Sequence, residues 1–245
     1  MTPALQLAGI HKRFGSVEAL RGADFVLAPG EVQALLGENG AGKTTLMHVA
    51  YGITRPDAGQ ILVDGVARSP GSPGQARRLG IGMVHQHFTA VPALTVAENI
   101  ALAAGWSGKP RLIESRAAVL SHDLGLPLDP GQRAGRLSVA LKQRLEIVKA
   151  LASEPRVLLL DEPTAVLAPA EADELLQFVR RFALNGGSAV VITHKLDEAL
   201  RAADRVTVLR QGVVTHTGPV AAQTVDLLAR AMIGSAPDLP LATSG

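Results

Sequence analysis

Short, nearly unbroken apolar runs recur along this chain, and between them apolar residues fall at helical spacing. Residues 32–36, 81–85, 156–160 and 189–193 are runs of this kind, each followed by polar or glycine-containing sequence. Such runs predict strands buried on both faces, as in a parallel sheet flanked by helices. Residues 5–10 and 23–27 predict two further strands, the second alternating Ala23, Phe25 and Leu27 before Pro29-Gly30. His11-Lys12-Arg13-Phe14-Gly15 reads as a loop between them, carrying one aromatic. Residues 61–63 run into Asp64-Gly65 and return over 66–68, a hairpin signal, and the Pro/Gly/Ser-rich stretch 69–74 reads as a loop. A last strand pair, 206–209 and 213–217, brackets Gln211-Gly212.

The helical pattern dominates from 87 to 154, where no convincing strand occurs. Thr95 is placed as an N-cap, with Glu98 in the capping-box position, for a helix over 96–104. Residues 111–124 are periodic and end at Gly125 and Pro127; residues 138–152 place Leu141, Leu145, Val148 and Leu151 or Ala152 on one face. Further helices are expected over 169–182, stopped by Asn185-Gly186-Gly187, and over 196–202. Alternating strands and helices imply an α/β fold with a mostly parallel sheet, an antiparallel N-terminal β part and an inserted helical subdomain. The expected division is one domain over 1–245: 1–86 with 155–218 as core, 87–154 as helical subdomain, and 219–245 as a C-terminal helix with a disordered tail from Ala236. In such sheets ligands bind at the carboxyl ends of strands, and Gly37, Gln86, Asp161 and His194 all follow predicted strands.

Composition narrows the class without naming the chemistry. The chain has 245 residues, 47% of them hydrophobic and 19% charged, which suits a globular domain and not a disordered one. It has no cysteine, so disulfides and thiolate metal sites are excluded and a reducing compartment is expected. A net charge of +2 gives no argument for nucleic acid. No apolar run approaches the ~20 residues of a spanning helix, and residues 1–10 lack the basic flank and apolar stretch of a signal peptide. A soluble, intracellular chain is expected.

The chemistry enters at Gly37-Glu38-Asn39-Gly40-Ala41-Gly42-Lys43-Thr44-Thr45, which reads G-x-x-x-x-G-K-T between a predicted strand and a predicted helix. Glycines let the backbone curl with its N–H groups inward, and a helix N-terminus adds partial positive charge, so this stretch predicts a phosphate-binding loop. Lys43 is placed to reach the β- and γ-phosphates and the Thr44 hydroxyl to ligate Mg²⁺. Asp161-Glu162 ends an apolar strand: the first carboxylate suits Mg²⁺, and the second can orient or deprotonate a water. His85 and His87 flank Gln86 and would share a face if the strand continued, but Mg²⁺ prefers oxygen and they read as loop or interface residues. Lys142, Arg144 and Lys149 read as a solvated face.

From residue 5 to 218 the order of these motifs resembles an ABC-transporter ATPase, a P-loop NTPase. The resemblance implies ATP and Mg²⁺, with Phe14 stacking on adenine, residues 37–45 holding the phosphates, and Thr44, Gln86 and Asp161 at the metal. It implies Glu162 as catalytic base, His194 as γ-phosphate switch, and Leu137-Ser138-Val139-Ala140 as the signature that caps a partner's nucleotide. Gly82-Met83-Val84-His85-Gln86-His87-Phe88 and Asp161-Glu162-Pro163-Thr164-Ala165-Val166-Leu167 are similar to the ATPases of simple-sugar and nucleoside importers. By that resemblance the chain is peripheral, on the cytoplasmic face of the membrane. It pairs head-to-tail with a second ATPase domain, docks on permease subunits and serves a solute-binding protein indirectly, with no nucleic-acid partner.

Two departures stand out. The family's signature begins Leu-Ser-x-Gly, whereas here Ala140 holds the glycine position and Leu141 follows. A methyl crowding a phosphate there implies ~1–3 kcal/mol, roughly 5- to 150-fold in rate or affinity. Ala168 stands where the family has an Asp in the loop after the catalytic Glu. Together these predict an asymmetric dimer in which the phosphate-loop side of this chain works with a partner's intact signature. Two other readings remain at this level: a soluble ABC ATPase acting on nucleic acid or the ribosome, and a regulatory subunit that hardly hydrolyses ATP. A GTPase is disfavoured because the chain contains no N-K-x-D motif.

Overall fold

The computed structural model describes residues 2–234. It opens with a long hairpin, β1 (Leu5–Phe14) and β2 (Val17–Leu27), after which β3 (Val32–Leu36) leads into α1 (Lys43–Ala50). A second hairpin, β4 (Ala58–Val63) and β5 (Val66–Arg68), is followed by α2 (Pro73–Arg78) and β6 (Ile81–Val84). Next come three helices, α3 (Val96–Ala104), α4 (Pro110–Asp123) and α5 (Val139–Leu151). The remainder alternates: β7 (Val157–Asp161), α6 (Pro169–Leu184), β8 (Ser188–Ile192), α7 (Leu196–Ala202), β9 (Arg205–Arg210), β10 (Val213–Pro219) and α8 (Val225–Ile233).

Two sheets result, one of order β2-β1-β4-β5 and one of order β10-β9-β3-β8-β7-β6. All pairings in the first are antiparallel. In the second, β9, β3, β8, β7 and β6 run parallel and only β10 opposes its neighbour. Alternation along the parallel strands feeds two cores. Val32, Ala34 and Leu36 of β3, with Leu158 and Leu160 of β7, pack with the helices on one face. Leu35, Leu159, Val190 and Ile192 pack on the other, against α1 and the antiparallel sheet. Both faces being covered is the reason these strands read as unbroken apolar runs.

The α/β architecture, the mostly parallel sheet, the antiparallel N-terminal part and the all-helical stretch between β6 and β7 are therefore present. Within that stretch, among the described residues, β structure amounts to one isolated bridge, Thr95 to Arg133. The capping box forms as the spacing requires: the Thr95 hydroxyl accepts from the Glu98 N–H, and the Glu98 carboxylate accepts from the Thr95 N–H.

Some local expectations fail for identifiable reasons. Residues 11–14 are strand and not loop, because β1 keeps pairing with β2 until Phe14 meets Val17. His11 lies opposite Arg21 and Arg13 is ion-paired with Glu18 at 2.6 Å, while Lys12 and Phe14 face Leu20 and Val17, so within 11–14 only Phe14 is apolar and no alternation marks the strand. The expected loop over 69–74 ends early: Ser72 caps α2, which begins at Pro73. Strand β6 stops at Val84, so His85 and His87 do not share a strand face. On α5, Lys149 is 10% exposed and ion-paired at 2.9 Å with the buried Glu146, so it is not on a solvated face. Arg144 is 32% exposed and paired with Glu174 at 3.1 Å. Lys142 is half-buried. The tail expected from Ala236 lies outside the described residues.

Candidate functional site

The phosphate loop joins β3 to α1 at the carboxyl edge of the parallel sheet, and its backbone explains its glycines. Gly37 and Gly42 have φ of 153° and 104°. A Cβ on Gly37 would collide with the Leu209 carbonyl, and one on Gly42 with the Ala19 carbonyl, so the loop is pressed against β9 and β2. Gly42 is the left-handed N-cap of α1, and no side chain caps that helix. The first intrahelical bond runs from the Leu46 N–H to the Gly42 carbonyl, at 2.9 Å. The earlier amides of the first turn are left for an anion, at the positive end of the helix dipole. The Lys43 ammonium, buried, donates to the Gly37 and Glu38 carbonyls at 2.7 and 2.9 Å. Burial pushes its pKa down, while the carboxylates of Glu162, Asp161 and Glu38 oppose the shift.

The neighbouring strand ends bring in the other groups. Asp161 closes β7 at 1% exposure, and its Oδ1 has no hydrogen-bond partner. Burial raises its pKa, opposed first by a hydrogen bond with the Thr44 hydroxyl. A buried carboxylate oxygen without a partner, beside a hydroxyl and an anion cradle, fits a hard, oxygen-seeking cation such as Mg²⁺. Glu162 follows with φ of 46°, a conformation that costs a non-glycine residue energy and persists only where the surroundings enforce it. Its N–H donates to the Ile192 carbonyl at 3.0 Å. Its two carboxylate oxygens lie 3.2 Å from Gln86 Nε2 and 3.2 Å from His194 Nδ1. Glu162 is 13% and His194 49% exposed, so the pair faces the opening and not the core.

The loop, Gln86 and Glu162 line a cleft of about 800 Å³, and Arg13, Ser16, Val17, Glu18, Ala19, Arg21 and Gln211 line it as well. Such a volume suits a nucleotide-sized ligand. Residues 37–45, Gln86, Asp161, Glu162 and His194 are thus brought together by four strand ends. Phe14 stands at the end of β1, 50% exposed, with the Lys12 ammonium 5.4 Å from its ring centre, and is not among the cleft-lining residues. Leu137, Ser138, Val139 and Ala140 are also absent from that lining. Ser138 caps α5, accepting from the Leu141 N–H, and Val139 is 46% exposed. Ala140 is half-buried and borders a small cavity with Leu126, Gln143, Leu167 and Leu175. Ala168 is exposed, and its N–H is bound by the Glu171 carboxylate at 2.9 Å. His85 packs edge-on against His48 and Tyr51, and burial lowers its pKa, whereas His87 is exposed.

Several groups that shape the site carry no sequence signal of their own. Arg13, the stretch 16–19, Arg21 and Gln211 reach the cleft only because β2 and the turn after β9 abut the loop. Glu198 on α7 is buried and accepts from the Thr164 hydroxyl at 2.5 Å and the Lys195 ammonium at 2.8 Å. It therefore ties the segment after Glu162 to the residue after His194. Its distance from Thr164 in sequence hides that half of the tie; only its place as the third residue of α7 hints at a role beside His194.

A phosphate loop on the carboxyl edge of a parallel sheet, with carboxylates at the neighbouring strand end, defines a P-loop nucleotide-binding domain. Residues 20–165 match the ABC transporter family, and the chain belongs to that family. It is 43% identical over 235 residues to the ribose import ATP-binding protein RbsA 2 of Agrobacterium fabrum, covering 94% of this chain and 46% of that protein. It is 42% identical over 234 residues to the nucleoside import ATP-binding protein NupA of Lactococcus lactis, covering 94% and 46%. The chain thus spans about half the length of the curated relatives it matches. Among solved structures it superposes on cbiO1 of Clostridium perfringens, part of the ABC transporter complex cbiONQ. There the TM-score is 0.78 and the identity 28%, covering 95% of this chain and 93% of that one.

Proposed function

We propose that this chain is the ATP-hydrolysing cassette of an importer for a small polar solute of the simple-sugar or nucleoside class. The observation that carries the reading is the placing of Glu162 between Gln86 and His194 beside the phosphate loop. A carboxylate held there can take the proton of a water lined up on the γ-phosphate. The amides of residues 40–45 and the Lys43 ammonium cradle the phosphates, and His194 bonds the γ-phosphate oxygens. Thr44, Asp161 and Gln86 hold Mg²⁺, which when bound neutralises charge on the β- and γ-phosphates. Phe14 turns its ring to the adenine.

The signature residues do not line this chain's own cleft, and Ser138 and Val139 are exposed while Leu137 packs in the core; on this reading 137–140 cap the nucleotide of a second cassette, in the same or another polypeptide. Residues 1–86 and 155–218 act as the nucleotide-binding core and 87–154 as the helical subdomain. The assembly docks on permease subunits at the cytoplasmic face, with a solute-binding protein upstream. No described helix is long and apolar enough to cross a membrane. The reading assigns the translocation path to those permease subunits. The names of the two relatives support the solute class.

The test is to purify the tagged chain from its own membranes in mild detergent, identify the bound proteins by mass spectrometry and assay MgATP turnover. Permease subunits with a second cassette, and turnover, are expected. Turnover without any membrane partner would leave a soluble ATPase.

A further inference from the structure

The helix that begins at the signature carries an acid at its middle that no step above uses. Glu146 lies on α5 at 3% exposure. Its Oε1 accepts from the backbone N–H groups of Thr89 and Ala90 at 2.9 and 2.8 Å, and its Oε2 from the Thr89 hydroxyl at 2.7 Å. Lys149, three residues on, donates to both carboxylate oxygens at 3.0 and 2.9 Å and to the Thr89 hydroxyl oxygen at 2.8 Å. From the other side, the Asn99 side chain of α3 accepts from the Val91 N–H at 2.7 Å and donates to the Val91 and Thr95 carbonyls. The segment leaving Gln86 is therefore bound through its backbone to two helices; among the described residues its charged holds are the pair on α5, at Thr89 and Ala90, and Arg133, which donates to the Ala93 carbonyl at 3.1 Å.

We propose that Glu146 is a positioning residue that fixes the segment behind Gln86 to the signature helix, so that a displacement at Gln86 carries Ser138 with it. A carboxylate this deep survives only when paired and fully hydrogen-bonded. An apolar pair of similar volume would hold the helix as well or better, so packing alone does not account for it. What an apolar pair cannot do is accept from the backbone N–H groups of Thr89 and Ala90, which lie outside any described strand or helix. From Glu146 to Ser138 is eight residues of unbroken helix, about 12 Å, and a helix transmits such a shift as a rigid body. What is being positioned rests on the ATPase reading above; the clasp itself does not.

The experiment is amide hydrogen exchange on the full chain with and without MgATP, alongside turnover, ATP affinity and thermal melting. In the parent, Thr89 and Ala90 are protected, and ATP changes exchange at 86–92 and at 138–141 together. Glu146→Ala loses protection at 89–90 and the response at 138–141, and its turnover falls about tenfold, within the range of coupling substitutions. Its ATP affinity stays within about twofold, since the phosphate loop is built on other elements. The double variant Glu146→Gln with Lys149→Met keeps an oxygen for the two N–H groups and buries no lone charge. It recovers the response at 138–141 even if its melting temperature differs from the parent. A response at 138–141 that persists in Glu146→Ala, or stays lost in the double variant, overturns the proposal. Absence of turnover in the parent removes the ATPase reading, while the exchange response still decides the clasp.

Discussion

The two ends of the chemistry are built in opposite ways. At the phosphate loop, four strand ends of one sheet deliver Lys43, Gln86, Asp161, Glu162 and His194 to one place, and each is held by backbone or by a neighbour's side chain. At the signature, Ser138 and Val139 stand exposed at the start of a helix and outside the lining of that cleft, with the Ser138 hydroxyl turned to capping the helix. On the proposed reading the first end draws its side chains from this chain, and the second serves the nucleotide of another cassette. Sheet edges converge because parallel strands share a direction. A helix start inserted between two strands is under no such constraint.

The largest expected effect is at the first end. Glu162→Gln keeps size and hydrogen bonding but cannot take a proton, so turnover should fall by about 10²- to 10⁴-fold while ATP binding persists. Phosphate release and nucleotide titration check it, and a variant that still turns over near the parent rate would remove Glu162 as base.

The smaller effect is at the second end. Ala140→Gly should raise turnover by about fivefold, the lower edge of the crowding range, because Ala140 is half-buried beside a cavity and is not fully presented to solvent. A tenfold or greater rise, read in steady-state turnover of the assembled dimer, would mean that the methyl itself meets the phosphate. No change would mean that this signature caps a site that does not limit the rate.

Smallest is a stability effect that sharpens the contrast between the ends. The Asp161 pKa is raised by burial, so its contribution to stability is present below the unfolded carboxylate pKa and lost as pH rises through the folded value. Asp161→Asn should therefore melt higher than the parent at about pH 7, with the difference vanishing as pH falls to the ordinary carboxylate range. The same variant should lose Mg²⁺-dependent nucleotide binding. Melting curves across pH and a Mg²⁺ titration separate the two outcomes.

Legibility followed the same division. Residues 37–45 and 161–162 were readable because a tight loop and a strand end impose their residues locally: two glycines at positions where a Cβ collides, and carboxylates straight after an apolar run. The hairpin tip at 11–14 reads as loop because His11, Lys12 and Arg13 are polar in a row, and the strand pairing that holds them is made with residues 17–21 of β2. Lys149 was misplaced on a solvated face because its partner Glu146 is buried by a segment sixty residues upstream in sequence, at Thr89.

The sequence by itself determined the phosphate loop, the strand-end carboxylates, the helical stretch between β6 and β7 and the family, since each depends on neighbours within a few residues. Only the tertiary structure decided that Glu162 sits between Gln86 and His194, that Glu198 and Glu146 are buried anchors, and that the signature lies outside this chain's own cleft. Those facts are distances between segments far apart in the chain, fixed by which strand lies beside which, and no local pattern of residues encodes them.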